Sequence, residues 1–237
     1  MTIPPHVWIV DDDQSLRKLY AFILEQEGFS TEKFGSKEEV LLRLKAGPPD
    51  LLLLDLGLPD GDGQEICRIF RDDPAAAAIP IVVVTGSLDM TDRYRALAEG
   101  ADDFLTKPID QMELVLRMRN LLKRAAGFHL RDTECLRAGD LELDLRNHEL
   151  RSGERQVQLT PSEFAILRHL LERVGVPVSA ETLLVEALGY PPRLGNPEIL
   201  RAHVKKIRRK IEDNPDEPRI LVNRPRLGYM VPEPRRA

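Results

Sequence analysis

The strongest constraint on the fold is an alternation in the first half of the chain, where short runs dense in Val, Ile and Leu are separated by longer segments of helical period. The runs are His6 to Val10, Phe29 to Phe34, Asp50 to Asp55, Ile79 to Thr85 and Asp102 to Thr106. Such near-continuous apolar strands suit a parallel sheet covered on both faces by helices. Between the first two runs, Leu16, Leu19, Tyr20, Ile23 and Leu24 share one helical stripe, and Gly28 follows as a C-terminal stop. Leu114, Val115, Met118, Leu121 and Leu122 form the apolar face of a last helix that ends in Lys123 and Arg124, cations suited to a helix C-terminus. Residues 1–124 therefore read as five strands and five helices in a doubly wound α/β domain, whose chemistry is expected at the carboxyl ends of the strands.

The pattern changes after residue 124. Residues 125–135 follow neither period and read as a linker. From residue 136 to 237 the chain reads as a second, α+β domain. It begins with short strands in LRAGDLELDL and HELRSGERQVQL, the latter turning at Ser152-Gly153. Thr160-Pro161-Ser162-Glu163 opens a helix with a hydroxyl cap, an early proline and a carboxylate at the third position, and Phe164, Leu167 and Leu171 mark its buried face. A second helix is expected near Ala180 to Leu188, a loop from Gly189 to Pro197, a third helix to about Ile211, and a terminal hairpin in RILVNRPRLGYMVPEP.

Charge divides along the same boundary. Residues 1–124 hold 15 Lys and Arg against 22 Asp and Glu, whereas the remainder holds 19 against 17, and residues 201–211 alone carry six basic side chains and no acid. An acidic half joined to one with a concentrated basic element predicts different partners for each, nucleic acid being the candidate for the second. No run approaches the ~18 apolar residues that a membrane span requires, and the start turns acidic too early for a secretory signal, so a cytoplasmic protein without a membrane partner is expected. Cys67 and Cys135 offer no disulfide framework and, with five scattered histidines, no zinc spacing.

Asp11, Asp12 and Asp13 follow the first strand, Asp55 ends the third, Thr85 the fourth, and Lys107 follows the fifth. Topology brings these to one edge of the sheet. Converging carboxylates repel unless a cation sits among them, and an all-oxygen donor set favours a hard ion such as Mg²⁺. A carboxylate beside such a cation, a lysine and a hydroxyl is equipped to attack a phosphoryl group, yielding an aspartyl phosphate. Any single one of these Asp residues reads equally well as a helix cap, but the set at the ends of four strands does not.

Over residues 5–124 the segments WIVDDDQSLR, DLLLLDLGLPDGDG, IPIVVVTG and GADDFLTKP resemble the receiver domain of two-component response regulators, a flavodoxin-like fold. The resemblance implies Asp55 as phosphoacceptor, Asp11 and Asp12 as the acidic pair, and Mg²⁺ held by these carboxylates together with the Gly57 carbonyl. It implies Thr85 and Lys107 as phosphoryl contacts, a cis Lys107-Pro108 peptide, Phe104 as the aromatic switch and Asp13 as a helix cap. Gly57 lacks the side chain usual at its position, and Phe104 stands where tyrosine is common. Arg93, Asp102, Asp103, Glu113 and Arg117 match the two-fold salt-bridge network of the OmpR/PhoB subfamily, with solvated surface charge as the alternative. Exposed ion pairs contribute little each, so they would set the register of a dimer around an apolar patch.

In the third helix of the second domain, Leu200, Val204, Ile207 and Ile211 define the buried stripe, and Arg201, Lys205 and Arg209 point away from it with Lys206 and Arg208 flanking. With the preceding helix and a hairpin carrying Arg224, Arg226 and Tyr229 this is a helix-turn-helix with a wing. LTPSEFAILRHLL, AHVKKIRRKIE and LGYMV resemble the winged-helix effector domain of the same OmpR/PhoB subfamily over about residues 136–233. That resemblance implies a major-groove helix with His203 among its DNA contacts, a wing over the adjoining minor groove, and RNA polymerase or a plain connector role for Gly189 to Pro197. Arg201 occupies a position that is usually acidic, and PRLGY replaces a glycine-rich turn. The expected protein is thus a response regulator whose phosphorylation on Asp55 by a sensor histidine kinase promotes a homodimer and binding to double-stranded DNA. It would be no enzyme beyond self-phosphorylation and self-dephosphorylation. Rival readings are a phosphorylation-independent DNA binder and a Mg²⁺-dependent phosphotransferase. No P-loop supports the latter.

Overall fold

The computed structural model describes residues 3–86, 95–125, 135–193 and 195–234. It divides into two compact units, Met1–Ala125 and Ala126–Ala237. The expected linker at 125–135 lies, apart from its ends, outside the described residues, as does Arg93. Among the described residues no helix is long and apolar enough to cross a membrane.

In the first unit, strands β1 (His6–Val10), β2 (Ser30–Phe34), β3 (Leu51–Asp55), β6 (Ile81–Thr85) and β7 (Asp103–Thr106) form one parallel sheet in the order β2-β1-β3-β6-β7. The order reverses between β1 and β3, so a crevice opens at their carboxyl ends. A two-residue pair, β4 (Gly57–Leu58) and β5 (Gly61–Asp62), lies just beyond β3. Helices α1 (Gln14–Gln26), α2 (Lys37–Leu44), α3 (Gly63–Asp72) and α4 (Gln111–Ala125) cover the sheet, and residues 95–98 are helical as well.

Burial of both faces explains why the central strands β1, β3 and β6 are nearly all apolar, whereas the edge strand β2, STEKF, is only partly buried and stays polar. One core joins Val7, Ile9, Leu51, Leu53, Val82 and Val84 to Ile23 and Leu24 of α1 and to Leu114, Met118 and Leu121 of α4. On the other side Trp8, wholly buried, meets Phe34 and Phe70 edge-on. Burying each such side chain contributes about 1.5–3 kcal/mol. The expected α1 stripe is corrected at one position. Leu19 is half exposed, because Ala21 takes the inward place beside Tyr20, Ile23 and Leu24.

The second unit opens with an antiparallel sheet of β8 (Cys135–Ala138), β9 (Leu141–Asp144), β10 (Glu149–Ser152) and β11 (Arg155–Gln158). Helix α5 (Pro161–Leu171) starts in a capping box in which the Thr160 hydroxyl accepts from Glu163 N and the Glu163 carboxylate accepts from Thr160 N. Helix α6 (Ala180–Thr182) continues as a π turn at Leu183–Ala187, and α7 (Pro197–Ile211) is the basic helix. A hairpin of β12 (Val222–Arg224) and β13 (Gly228–Met230) closes the unit. The α/β class of the first unit, followed by a helical and β winged-type unit, is as expected from sequence.

Candidate functional site

The crevice at the end of β1 and β3 is built by chain termini of secondary structure. β1 delivers Asp11, 1% exposed, and β3 delivers Asp55, 8% exposed. Asp12 stays exposed, and carboxylate oxygens of Asp11, Asp12 and Asp55 lie within 4.8 Å of one another. Asp13 caps α1, accepting from Ser15 N at 2.7 Å and Leu16 N at 3.2 Å. The N–H groups of Leu16 and Ser15 hold its carboxyl below the usual range. The Asp11 carboxylate is oriented by Asp13 N at 2.9 Å, and the Asp11 carbonyl accepts from the Arg17 guanidinium.

Lys107 directly follows β7 and precedes a cis Lys107-Pro108 peptide. Its ammonium lies 2.8 Å from Asp11 Oδ2 and 2.5 Å from Asp55 Oδ2. Burial works to push its pKa down, but hydrogen bonds and charge from Asp11 and Asp55 outweigh that and hold it above the ordinary lysine value. The lysine is therefore a fixed cation. Thr85 is buried at the end of β6, and its carbonyl accepts from Lys107 N at 2.9 Å. Phe104 is half-buried on β7.

The loop after Asp55 comes close to the carboxylate. Gly57 N donates to Asp55 Oδ1 at 3.2 Å, and a Cβ at Gly57 would stand 3.9 Å from that oxygen, leaving its position open above the acid. Gly63 goes further, since a Cβ there would fall 2.7 Å from the Asp55 carbonyl and 2.8 Å from Leu56 Cα. Sequence reasoning gave Gly63 no role. Its only signal is a glycine at the first position of a helix. Among the described residues these three carboxylates, with no cysteine or histidine in the group, make an all-oxygen donor set that can hold a hard metal ion.

The set expected at a dimer face is brought together only in part. Arg117 on α4 pairs within the chain with Asp103 at 2.9 Å and with Glu113 at 2.7 Å. Asp102 requires correction, because it is 1% exposed and turned toward α3, whereas Asp103, 2% exposed, is buried against Arg117. The Asp102 carboxylate meets Arg71 at 2.7 Å and Ile81 N at 3.1 Å, while the same guanidinium holds the carbonyls of Ala77, Ile79 and Gly100. A buried carboxylate needs these partners, and they tie the end of α3 to the start of β7.

On α7, the apolar stripe Leu200, Val204, Ile207 and Ile211 is buried as expected. Arg201, Lys205 and Arg209 are exposed, as are Arg224 and Arg226 on the hairpin, while Tyr229 is half-buried. Arg201 pairs with Glu198 one turn earlier. His203 and Lys206 are corrected as surface contacts, being 0% and 8% exposed, because they share the inward face with Val204 and Ile207. Arg208 turns toward the hairpin and donates to the Leu221 carbonyl at 2.9 Å. Lys210, one of the six cations, reaches Glu163 at 2.7 Å and the Gln158 carbonyl at 2.8 Å.

An unforeseen carboxylate organises the chain beyond α7. Glu212, 5% exposed, accepts from Arg219 N at 2.9 Å, Ile220 N at 2.9 Å and Leu221 N at 2.8 Å. It fixes the segment leading into the hairpin. The only sequence hint is that Glu212 is the first acid after the basic run.

Comparison with known proteins agrees with the two-unit organisation. The family model for the response regulator receiver domain matches residues 7–119, and that for the transcriptional regulatory protein, C terminal, matches residues 153–231. The DNA-binding response regulator MtrA of Mycolicibacterium smegmatis is 33% identical over 98% of this chain and 99% of its own length. The KDP operon transcriptional regulatory protein KdpE of Escherichia coli is 34% identical over 94% of this chain and 97% of its own. Among solved structures, the response regulator DrrB of Thermotoga maritima, an OmpR/PhoB homolog, is similar with a TM-score of 0.52 at 28% identity, covering 97% of this chain and 99% of that one. A RitR mutant shares the fold with a TM-score of 0.77 at 19% identity, covering 97% and 100%. The chain belongs to the two-component response regulators of the OmpR/PhoB type, transcription regulators that join a receiver domain to a DNA-binding domain.

Proposed function

We propose that Asp55 accepts a phosphoryl group from a sensor histidine kinase, that the phosphorylated receiver (residues 1–124) pairs with a second copy, and that the effector (136–237) then binds double-stranded DNA to control transcription in the cytoplasm. The observation that carries this reading is the Lys107 ammonium bridging Asp11 and Asp55 at 2.8 and 2.5 Å, at the strand ends where the sheet opens. An Asp55 oxygen attacks phosphorus, the bond to the donor imidazole breaks, and its electron pair stays on the ring nitrogen. Lys107 and the Thr85 hydroxyl face the transferring oxygens and offset their charge. Asp11, Asp12, Asp55 and the Gly57 carbonyl would hold Mg²⁺, which supplies further charge neutralisation when bound. Hydrolysis of the acyl phosphate restores Asp55, so the chain modifies itself and turns over no external substrate.

Phosphorylation changes the charge that Thr85 and Lys107 face, and Phe104 is the packing element that carries the change to α4. On that helix Met112 is 81% and Leu116 44% exposed, and together with Glu113 and Arg117 they offer an apolar contact with charges to set its register. Asp103 and Arg117, paired within one chain, would exchange partners across a two-fold axis, with Arg93 adding to the network. A coupling of about 2.7 kcal/mol, roughly 100-fold, suffices to shift the monomer–dimer balance. The linker at 125–135 separates a two-fold receiver pair from effectors bound head to tail on direct repeats. The loop Gly189 to Pro197 is the candidate contact for RNA polymerase.

With Mg²⁺ and a small acyl phosphate, the chain gains one acid-labile phosphoryl group that Asp55→Asn lacks, and sedimentation then reports a dimer that Arg117→Glu fails to form. Equal labelling of Asp55→Asn refutes the phosphoacceptor. A phosphorylated Arg117→Glu that dimerises like the parent protein refutes the α4 face.

A further inference from the structure

Shortly after Asp55, residues 57–63 (GLPDGDG) place three glycines among seven residues, so this backbone is loose by composition. In the fold it is nevertheless a closed hairpin. β4 and β5 pair Gly57 with Asp62 and Leu58 with Gly61, leaving Pro59 and Asp60 at the tip. The base of the hairpin is tied to its own surroundings. Gly63 N donates to the Leu56 carbonyl at 3.1 Å, Leu58 is buried, and the Asp62 carboxylate caps α3 by accepting from Gln64 N at 2.9 Å.

The tip is tied to a different helix. The Asp60 carboxylate accepts from Lys37 N and from Glu38 N, each at 2.9 Å, and so takes two of the amides that open α2 without a partner inside the helix. Those two N–H groups hold its carboxyl below the usual range. Lys37 adds a second tie, since its ammonium lies where a Cβ on Gly61 would come within 2.7 Å of it, and it pairs with Glu65 of α3 at 2.8 Å. α2 also has a cap of its own in Ser36, whose hydroxyl accepts from Glu39 N at 3.3 Å. The bonds from Asp60 therefore fix the hairpin as much as the helix.

What the hairpin carries is Gly57. Gly57 N donates to Asp55 Oδ1 at 3.2 Å, its carbonyl is a metal ligand in the reading above, and it has no side chain to hold it in place. Glycine loses more backbone freedom on being ordered than any other residue, so a Gly57 without an anchored hairpin would have to be ordered each time metal binds. We propose that Asp60 is a positioning residue for phosphoryl transfer, pinning the hairpin tip to α2 so that Gly57 is held against Asp55 before metal arrives. The proposal deepens the phosphorylation reading above and rests on it. Fixing one such backbone in advance corresponds to about tenfold in metal affinity. At saturating metal the site is formed either way, so the rate there changes little.

The test uses the full-length chain well below its melting temperature. In metal-free Asp60→Ala the amides of Lys37, Glu38 and Gly57 should exchange hydrogen faster than in wild type, as read by NMR. Calorimetric titration should give a Mg²⁺ Kd about tenfold weaker. Labelling by a small acyl phosphate should need correspondingly more Mg²⁺ for half its maximal rate, while the saturated rate stays within about twofold of wild type. Asp60→Asn keeps one acceptor oxygen and should weaken the Kd by only about threefold. Ser36→Ala removes the other cap of α2 and leaves the hairpin tied, so it should lower the melting temperature with the Kd unchanged. An Asp60→Ala chain that binds Mg²⁺ as wild type does, or a Ser36→Ala chain that loses as much affinity, overturns the positioning role and leaves the phosphorylation reading intact. If Asp60→Ala does not fold, Asp60→Asn decides, and a Kd equal to wild type overturns the role. A wild-type chain that neither binds Mg²⁺ nor is labelled on Asp55 overturns the phosphorylation reading itself.

Discussion

Lys107→Met removes the cation that stands between two buried carboxylates and leaves a side chain of similar length. Carboxylate oxygens of Asp11 and Asp55 lie within 4.8 Å of each other. At an effective dielectric constant of about 20, two unit charges at that separation repel by about 3.5 kcal/mol. Removing one member of a buried pair costs about 3–5 kcal/mol by comparison with measured cases, so the two routes agree on about 3 kcal/mol. Unfolding entropy of about 2.1 cal/mol/K per residue converts this, for a unit of this size, into a Tm lower by roughly 10 °C. Saturating Mg²⁺ should close most of that deficit. A metal that binds only the folded state stabilises by about 2.7 kcal/mol at 100 times its Kd, and it meets in the variant the carboxylates that Lys107 otherwise occupies. Thermal unfolding of wild type and variant, each with chelator and with Mg²⁺, reads all four states. A deficit below about 1 kcal/mol without metal, or equal stabilisation of both proteins by Mg²⁺, refutes the view that lysine and metal share one pair of acids.

Glu212→Gln turns one acceptor oxygen into a donor facing backbone N–H, so the effector should lose about 2–3 kcal/mol in denaturant unfolding. Gly228→Ala should be worse, at more than about 3 kcal/mol, since φ 116° and the Val178 carbonyl both oppose a side chain; a variant within about 1 kcal/mol contradicts the packing. Burial, assisted by the charge of Arg173, holds the His169 pKa below its ordinary value against the opposing Glu186 and Glu172. The unfolded chain then binds the proton first, so stability is lost as pH falls below about 6.5, and His169→Asn should flatten that part of the pH profile. Arg209→Ala should weaken all DNA sites alike and reduce the slope of log K against log salt by about one; an unchanged slope removes Arg209 from the phosphate contacts.

The alternation of strands and helices and the acidic crevice were legible because they depend on local chemistry. A parallel strand covered on both faces must be apolar throughout, so LLLLD and IVVVT announce both a strand and the acid or hydroxyl at its end. Once such runs alternate with helices, handed connections bring Asp11, Asp55, Thr85 and Lys107 to one edge. The Thr160 capping box and the Asp13 cap were legible for the same reason, since donor and acceptor lie within three residues of each other.

What tertiary structure alone decided is which charges face water. Helical period gives a direction around an axis, but not how wide an arc the neighbouring helices and sheet cover. His203 and Lys206 flank the apolar stripe closely enough to be enclosed with it, and Lys210 is drawn to Glu163, 47 positions earlier in the chain. Asp102 and Asp103 are identical in type and adjacent, yet one is clamped by Arg71 of α3 and the other meets Arg117 of α4. Gly63 and Glu212 owe their roles to backbone that the fold brings against them. Composition and spacing determined that this chain has an acidic crevice and a basic helix. Partners supplied from distant sequence determined which of their charged side chains are spent holding the molecule together and which remain at its surface.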